Sequence, residues 1–312
     1  MQDRTVLVTG AAGFIGSNVA NHLVEHNDVI GIDDGSLGEA VNLDEAVKYR
    51  EIDVTAADVP TDVDVVIHLA ARSSYPMHES DPAGGARVNV EGFVNVVEQA
   101  KAAGCETIVY ASTSSVYGSR TEPSPEELPV SARSGYEASK LARERYAEYF
   151  NAHYGLQLAG LRFFSVYQGY GGAESHKGRY ANVIAQFADD LANGRRPEIY
   201  GDGSQTRDFT HVDDVVRAIE LAADHELHGV YNVGTGEAID FRTLVERLND
   251  ALGTNIAPTY VENPIPDSIY VSHTCADYAK LHAATGWEPD ISLAEGIERV
   301  CRQYRQEAAV EG

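Results

Sequence analysis

Three glycines spaced three apart, Gly10-Ala11-Ala12-Gly13-Phe14-Ile15-Gly16, follow a β-branched run and precede an amphipathic stretch. The first two permit a tight turn and close approach of the backbone to a pyrophosphate, and the last permits close packing of a helix on a strand. The helix starting there offers unpaired N–H groups and a partial positive charge to phosphate oxygens. An acid closes the next apolar run, in Val29-Ile30-Gly31-Ile32-Asp33-Asp34. A carboxylate at that place accepts hydrogen bonds from the ribose hydroxyls of adenosine. It repels a 2′-phosphate, and no arginine follows to hold one. The expected cofactor is therefore NAD rather than NADP.

A second group of residues could act on a substrate hydroxyl. Tyr136 and Lys140 open a helical pattern, and their spacing of four puts both side chains on one helix face. A lysine ammonium and a nicotinamide cation beside a phenol favour the phenolate, which makes Tyr136 a candidate base near neutrality. Thr113 lies just past the apolar run 107–112, in Ala111-Ser112-Thr113-Ser114-Ser115-Val116-Tyr117-Gly118. Its hydroxyl can donate to the same substrate oxygen and relay its proton.

These residues need elements to hold them. Short, nearly continuous apolar runs at 5–9, 29–33, 47–52, 63–69, 107–112 and 156–162 read as parallel strands covered on both faces. Helical patterns at 14–26, 82–103 and 136–154 alternate with them. The alternation predicts an α/β fold of Rossmann type, a doubly wound parallel sheet with right-handed crossovers. Past residue 165 the rhythm loosens. Segment 166–180 is rich in Gly and Tyr and reads as a loop. Helical patterns return at 180–193, 213–224, 241–252 and 293–305, with short strands at 198–200, 230–233 and 256–261. No flexible linker intervenes. The expected organisation is an NAD-binding domain over 1–165, with segments near 212–233 packing back on it, and a smaller C-terminal α/β substrate-binding region over 166–312.

Composition narrows the partners. The chain of 312 residues carries 48 Asp+Glu against 24 Lys+Arg, a formal net charge of −24. Only Lys48, Lys101, Lys140, Lys177 and Lys280 are lysines, and the acids are spread through the chain rather than blocked. Such a surface repels nucleic acid and anionic membranes. Strong charge of one sign also maintains solubility under screening, so adaptation to high cytoplasmic salt is expected. No apolar run is long enough to span a membrane, and the first residues lack a cleavable signal pattern. Cys105, Cys275 and Cys301 are far apart, which predicts neither a disulfide framework nor a metal site, and a reducing cytoplasm.

Motifs spread over the whole chain resemble the extended short-chain dehydrogenase/reductase family. They are the glycine run, Asp33, Asp53-Val54, Leu69-Ala70-Ala71, Asn89, the 112–118 segment, Tyr136-Glu-Ala-Ser-Lys140, Leu161-Arg162-Phe163-Phe164 and Gly201-Asp202-Gly203-Ser204-Gln205-Thr206-Arg207-Asp208-Phe209. Within the family the chain most resembles the nucleotide-sugar epimerases of the UDP-glucose 4-epimerase type. The resemblance implies tightly held NAD, contacted at Gly10, Gly13, Phe14, Ile15, Gly16, Asp33, Asp34, Ser36, Gly38, Asp53, Val54, Leu69, Ala70, Ala71, Asn89, Ser112, Tyr136, Lys140 and Phe163. It places catalysis on Thr113, Tyr136 and Lys140. It implies that the C-terminal region closes over a nucleotide-diphosphate sugar, a UDP-hexose, with Ser74, Thr113, Ser165, Lys177, Asn182, Val183, Tyr200, Arg207 and Tyr270 on the substrate side. It also implies a homodimer joined through the 82–103 and 136–154 helices.

The reaction is narrowed by what is missing. Relatives that remove water across C5 and C6 carry an Asp-Glu pair after the catalytic threonine, whereas Ser114-Ser115 stands here. Decarboxylating relatives also tend to carry a glutamate there. What remains is oxidation at C4 by NAD and return of the hydride to the other face, with Tyr136 handling the proton. Arg207 is expected to pair with a diphosphate oxygen. Two features depart from the family pattern. Ser165 replaces an asparagine that contacts substrate, and no arginine precedes Ala276-Asp277, where Asn263-Pro-Ile-Pro-Asp-Ser-Ile-Tyr270 stands instead. Glu174-Ser-His176-Lys177-Gly178 resembles a segment of ADP-heptose 6-epimerases, which keeps that reaction as an alternative. A dehydrogenase or reductase that exchanges its cofactor, and a silent NAD-binding regulator, are the others.

Overall fold

Apolar runs form most strands of the first half, the polar edge strand at 48–51 excepted, and glycines or side-chain caps end the longer helices between them. In chain order come β1 (Thr5–Thr9), α1 (Phe14–Leu23), β2 (Asp28–Asp33), β3 (Lys48–Glu51), β4 (Val65–His68), α2 (Tyr75–Ser80), α3 (Pro82–Ala86), α4 (Gly92–Ala103), β5 (Thr107–Thr113), α5 (Gly135–Tyr154) and β6 (Gln157–Phe163). The second half adds β7 (Val166–Tyr167), α6 (Val183–Ala192), β8 (Glu198–Tyr200), β9 (Thr206–Asp208), β10 (Thr210–His211), α7 (Val212–Asp224), β11 (Gly229–Val233), β12 (Ala238–Asp240), α8 (Phe241–Leu252), β13 (Thr259–Val261), α9 (Ala279–Thr285) and α10 (Leu293–Glu311). The computed structural model describes residues 1–311, with side chains through Arg305.

Seven strands form one sheet in the order β3-β2-β1-β4-β5-β6-β11, with every neighbouring pair parallel. This is the doubly wound Rossmann-type arrangement. Strand order reverses beside β1 and β4, so a crevice opens at the carboxyl ends of those strands. One face of the sheet is covered by α1 and α7, through Phe14, Val19, Leu23, Val215, Ile219 and Ala222. The other is covered by α4 and α5, through Phe93, Val96, Val97, Ala147 and Phe150. A separate core joins α6, α8 and α10 through Ile184, Phe187, Leu244, Leu248, Ile297 and Val300. Thus α7 and β11 lie with the sheet, although the chain has by then built part of the second region.

Several boundaries differ from the sequence reading, each for a local reason. The first helix stops at Leu23, not at residue 26, because Asn27 Nδ2 caps the Leu23 carbonyl at 2.9 Å. The 82–103 stretch is interrupted by a wide turn of π type at Arg87–Glu91, where Gly92 N reaches back to Arg87 O. Segment 166–180 is not all loop. Val166–Tyr167 pairs with Thr210–His211, which lies far along the chain, and Ser175–Tyr180 forms 3-10 turns. No helix among the described residues is long and apolar enough to cross a membrane.

Candidate active site

A cavity of about 680 Å³ runs along the carboxyl ends of β1, β2, β4, β5 and β6 and under the β7–α6 connection. At one end lies the glycine turn. Gly10 has φ +69°, and a Cβ there would stand 2.7 Å from Ala70 N. A Cβ on Gly16 would overlap the Gly10 carbonyl. Both glycines are therefore required by the packing of α1 against β1 and β4. The N-terminus of α1 takes no side-chain cap and has no acid in its first turn, so its amides are available to an anion.

Asp33 closes β2 beside this turn and is only 8 % exposed. Its carboxylate accepts from Ala12 N at 3.2 Å and Gly35 N at 3.0 Å, which fixes its direction. Burial raises its pKa above the ordinary carboxylate value, and the Gly35 and Ala12 amides oppose that shift. Asp34 accepts from both the amide and the hydroxyl of Ser36, shaping the connection that carries Gly38. An uncapped helix start beside a bare glycine turn, with a fixed carboxylate one strand away, fits a dinucleotide: pyrophosphate at the helix, ribose at the acid.

The catalytic end is set by the start of α5. Ser134 Oγ accepts from Glu137 N at 3.2 Å, and buried Glu137 forms an ion pair with Arg133 at 2.6 Å. This S-x-x-E cap fixes Tyr136 in the first turn and Lys140 one turn on. Lys140 Nζ donates to Ala111 O at 3.0 Å and stands 5.8 Å from the Tyr136 ring centroid. Burial, reinforced by the Arg143 charge, holds the Lys140 ammonium well below its usual range. Burial also pushes the Tyr136 phenol up, while the Thr113 hydroxyl and the Arg143 guanidinium pull it back. Arg143 is a charge the sequence reading missed. It is fully buried and donates to Ala70 O at 2.8 Å and to Asn89 O. Its place three residues after Lys140 was the available signal.

Strand β5 is anchored from below. Ser112 Oγ donates to Glu144 at 2.6 Å, and Arg162 grips the same carboxylate with two donors at 2.9 and 2.7 Å. Arg162 also donates to Tyr117 OH at 2.7 Å, which donates in turn to Asn232 at 2.8 Å. The chain of bonds ties the strand end that carries Thr113 to β11.

At the other end stand the candidates for the sugar nucleotide. Arg207 Nη1 donates to Thr206 O at 2.8 Å and Ser272 O at 3.0 Å, and the guanidinium lies between the rings of Phe241 and Tyr270. Burial lowers its pKa and Tyr270 opposes the shift. Asn182 lines the cavity, but its side chain is already engaged. It caps α6 through Ile184 N and donates to Ser165 O and Val166 O, both at 3.1 Å. Ser165 sits at φ +27°, a left-handed conformation uncommon for serine. Ser74 Oγ is buried without a hydrogen-bond partner among the described residues and belongs to a residue on the cavity wall.

Three predicted contact residues do not reach the cavity wall. Asn89 lies behind it, where its side chain bonds Arg72 N and O, His78 and Ser139. It therefore shapes the wall rather than forming it. Val183 packs against the α6–α8 core, and Tyr200 lies on β8, outside the cavity. Lys177 does line it, yet its ammonium stands over Phe14, at the start of α1, and not beside Arg207. The remaining predicted residues meet at the wall. Those the sequence reading missed include Arg72, His176, Ile265, Ile269 and Thr274. His176 was adjacent to Lys177, and the two isoleucines lie within the segment noted for its missing arginine.

Comparison with known proteins agrees with this geometry. Residues 6–234 match the NAD dependent epimerase/dehydratase family. The chain belongs to this family. It is an NAD-dependent enzyme of the epimerase kind. The chain is 35 % identical to the UDP-glucose 4-epimerase of Mycolicibacterium smegmatis, over 97 % of this chain and 99 % of that one. Among solved structures, it is similar to the UDP-N-acetylglucosamine 4-epimerase of Methanobrevibacter ruminantium in complex with UDP-N-acetylmuramic acid. That likeness has a TM-score of 0.90 at 30 % identity, covering 98 % of this chain and all of the other. It is also similar to the UDP-glucose 4-epimerase of Thermotoga maritima with UDP-glucose. There the TM-score is 0.89 at 32 % identity, covering 97 % of this chain and 99 % of the other.

Proposed function

We propose that the protein is a UDP-hexose 4-epimerase interconverting UDP-glucose and UDP-galactose. The observation that carries this reading is the set of groups around Tyr136. Thr113, Tyr136 and Lys140 line one end of the cavity, and Glu137, the carboxylate beside them, is engaged by Arg133. Ser114 and Ser115 stand where a dehydratase needs its acids. A single proton-handling phenol suits chemistry at one carbon. The likeness to epimerases of UDP-glucose supports the nucleotide and the sugar.

When bound, NAD supplies a reversible hydride acceptor. The chain's own residues do the rest. Tyr136 takes the proton of the 4-hydroxyl and later returns it. Thr113 hydrogen-bonds the same oxygen and steadies the phenolate. Arg143 supplies positive charge near the ring, and Lys140 lies one turn along the same helix face. Arg207 grips the diphosphate while the sugar presents each face in turn. Lys177, on which the 6-epimerase alternative rested, stands at the cofactor end, so no feature of the sugar end favours that alternative. The exposed rings of Tyr146, Tyr149 and Tyr154 on α5 support association through this helix as a homodimer.

The test is turnover of UDP-glucose carrying deuterium at C4, followed by NMR. UDP-galactose that retains the label at C4 is expected. Loss of the label to solvent, or no turnover of either sugar nucleotide, would overturn the reading. Light scattering should give twice the chain mass at micromolar concentration in high salt.

A further inference from the structure

Segment 168–182 leaves the sheet region after β7, crosses α1 and returns at the start of α6. One buried carboxylate ties its two ends together: Glu174 accepts from Gln168 N at 2.8 Å, Gly169 N at 2.9 Å and Asn182 N at 2.5 Å. Its base is fastened to α1, where Asn18 and Gln168 exchange amide hydrogen bonds at 3.1 and 2.8 Å. Its tip reaches the β2–β3 connection, with His176 Nδ1 3.4 Å from Asn42 Nδ2. Asn42 O is held in turn by Asn21 of α1 at 2.8 Å. The segment is thus a bridge fixed at both ends, and the glycine turn lies beneath it.

Lys177 is on the underside of this bridge. Its Nζ stands 5.4 Å from the centroid of the Phe14 ring and makes no hydrogen bond or ion pair among the described residues. Phe14 is the first residue of α1, whose amides also lack a cap. The carboxylate that acts on Lys177, Glu174, has its oxygens taken by the backbone amides of Gln168, Gly169 and Asn182, so the ammonium and the uncapped α1 amides both border the cavity without a hydrogen-bonded anion. A pyrophosphate satisfies both. Two could come to this cavity, that of the cofactor and that of a sugar nucleotide. The position over Phe14, at the start of the helix that follows the glycine turn, favours the cofactor.

We propose that Lys177 closes on the pyrophosphate of NAD and that segment 168–182 is a strap retaining the cofactor between turnovers. The proposal rests on the NAD dependence of the family and not on the identity of the sugar. An epimerase regenerates its cofactor in each cycle, so slow release carries no penalty in rate. A dehydrogenase would be throttled by the same strap.

Lys177→Met keeps the length and the apolar contact with Phe14 but removes the charge. Lys177→Arg keeps the charge. NAD release is followed by diluting each holoprotein into a large excess of a fluorescent NAD analogue, and UDP binding is measured by calorimetry on the same samples. Release from Lys177→Met should be about tenfold faster or more, as expected for loss of one charge-assisted contact. Lys177→Arg should stay within about threefold of the parent, and UDP affinity should be unchanged in both. The salt dependence of release should also be shallower in Lys177→Met. Release at the parent rate from Lys177→Met overturns the proposal. So does a tenfold loss of UDP affinity with release unchanged, which would put the ammonium on the substrate. Should Lys177→Met fail to fold, Asn42→Ala frees only the tip of the strap. Faster release then supports the proposal and unchanged release overturns it.

Discussion

At the end of the cavity proposed for the cofactor, Gly10, Gly16, Asp33 and Ala70 lie at strand ends or at a helix start, and two backbone amides fix the Asp33 carboxylate. At the end proposed for the sugar, Ser165, Asn182 and Tyr270 come from connections and Arg207 from the short strand β9, scattered over about a hundred residues of chain. There, position depends on tertiary pairing: Arg207 is fastened to Ser272, and Asn182 to Ser165 and Val166. The first end follows from the sheet. The second is assembled from connections and one short strand, and at Ser165 the backbone lies in the left-handed region. On the proposed function, cofactor recognition is set by the fold itself, while sugar recognition can vary without disturbing the sheet.

Tyr136 anchors neither the glycine turn nor Arg207, and its replacement by phenylalanine should leave both intact. In Tyr136→Phe, kcat should fall about 10²–10⁴-fold. NAD content and melting temperature should stay at parent values, read by absorbance and calorimetry. A fall in NAD content would tie the two ends together through this ring and break the contrast.

Arg207→Ala should raise KM for the UDP-sugar by about 10–100-fold through loss of a charged contact. Retained NAD should not change, because Arg207 touches only sugar-end residues. The reciprocal variant is Asp33→Asn. The parent should prefer NAD over NADP by about tenfold or more, roughly 1.4 kcal/mol. Asp33→Asn should narrow that ratio in a binding titration and leave UDP affinity alone. Equal binding of both cofactors by the parent would remove the role given to Asp33.

Salt acts on the whole chain and serves as a control. With a net charge of −24, self-repulsion should weaken the fold at low ionic strength. Melting temperature should rise by several degrees between about 0.1 and 3 M KCl, in the parent and in both end variants alike. A flat response would count against adaptation to high salt.

The smallest expected effect sharpens the view of the sugar end. Asparagine tolerates positive φ better than serine, so Ser165→Asn should stabilise the protein by less than about 1 kcal/mol. Chemical denaturation can resolve this. Destabilisation would show that the serine hydroxyl, and not the backbone angle, is what that position needs.

The strands, the glycine turn and the Tyr136–Lys140 pair were legible because each depends on a pattern within about ten residues of itself. So was Thr113, from its place at a strand end. The parts that escaped depend on distant partners. Val166–Tyr167 is a strand only because Thr210–His211 lies alongside it. Lys177 could be singled out as a rare lysine, but only the span from Gln168 to Asn42 places it over Phe14 and away from the sugar. Asn89 fell on a matching motif, yet the wide turn around it aims its amide at Arg72, His78 and Ser139. Arg143 sat one helical step from a residue already chosen, and its weight comes from burial, which spacing does not reveal.

That wide turn at Arg87–Glu91 also bears on how the chain tolerates change in length. A π turn holds one residue more than the same stretch of α-helix. Removing a residue there would restore ordinary winding and leave the two flanks facing as they do now, because the wide turn absorbs its surplus residue without rotating the helix on either side. The buried face of α4, with Phe93, Val96 and Val97, would keep its alignment with the sheet, while the Asn89 side chain would lose its place between Arg72, His78 and Ser139. A deletion at this turn would thus be tolerated by the core and felt at the cavity wall. The surplus residue is a local bulge, and a lineage carrying it can alter that wall without changing the register of the helix.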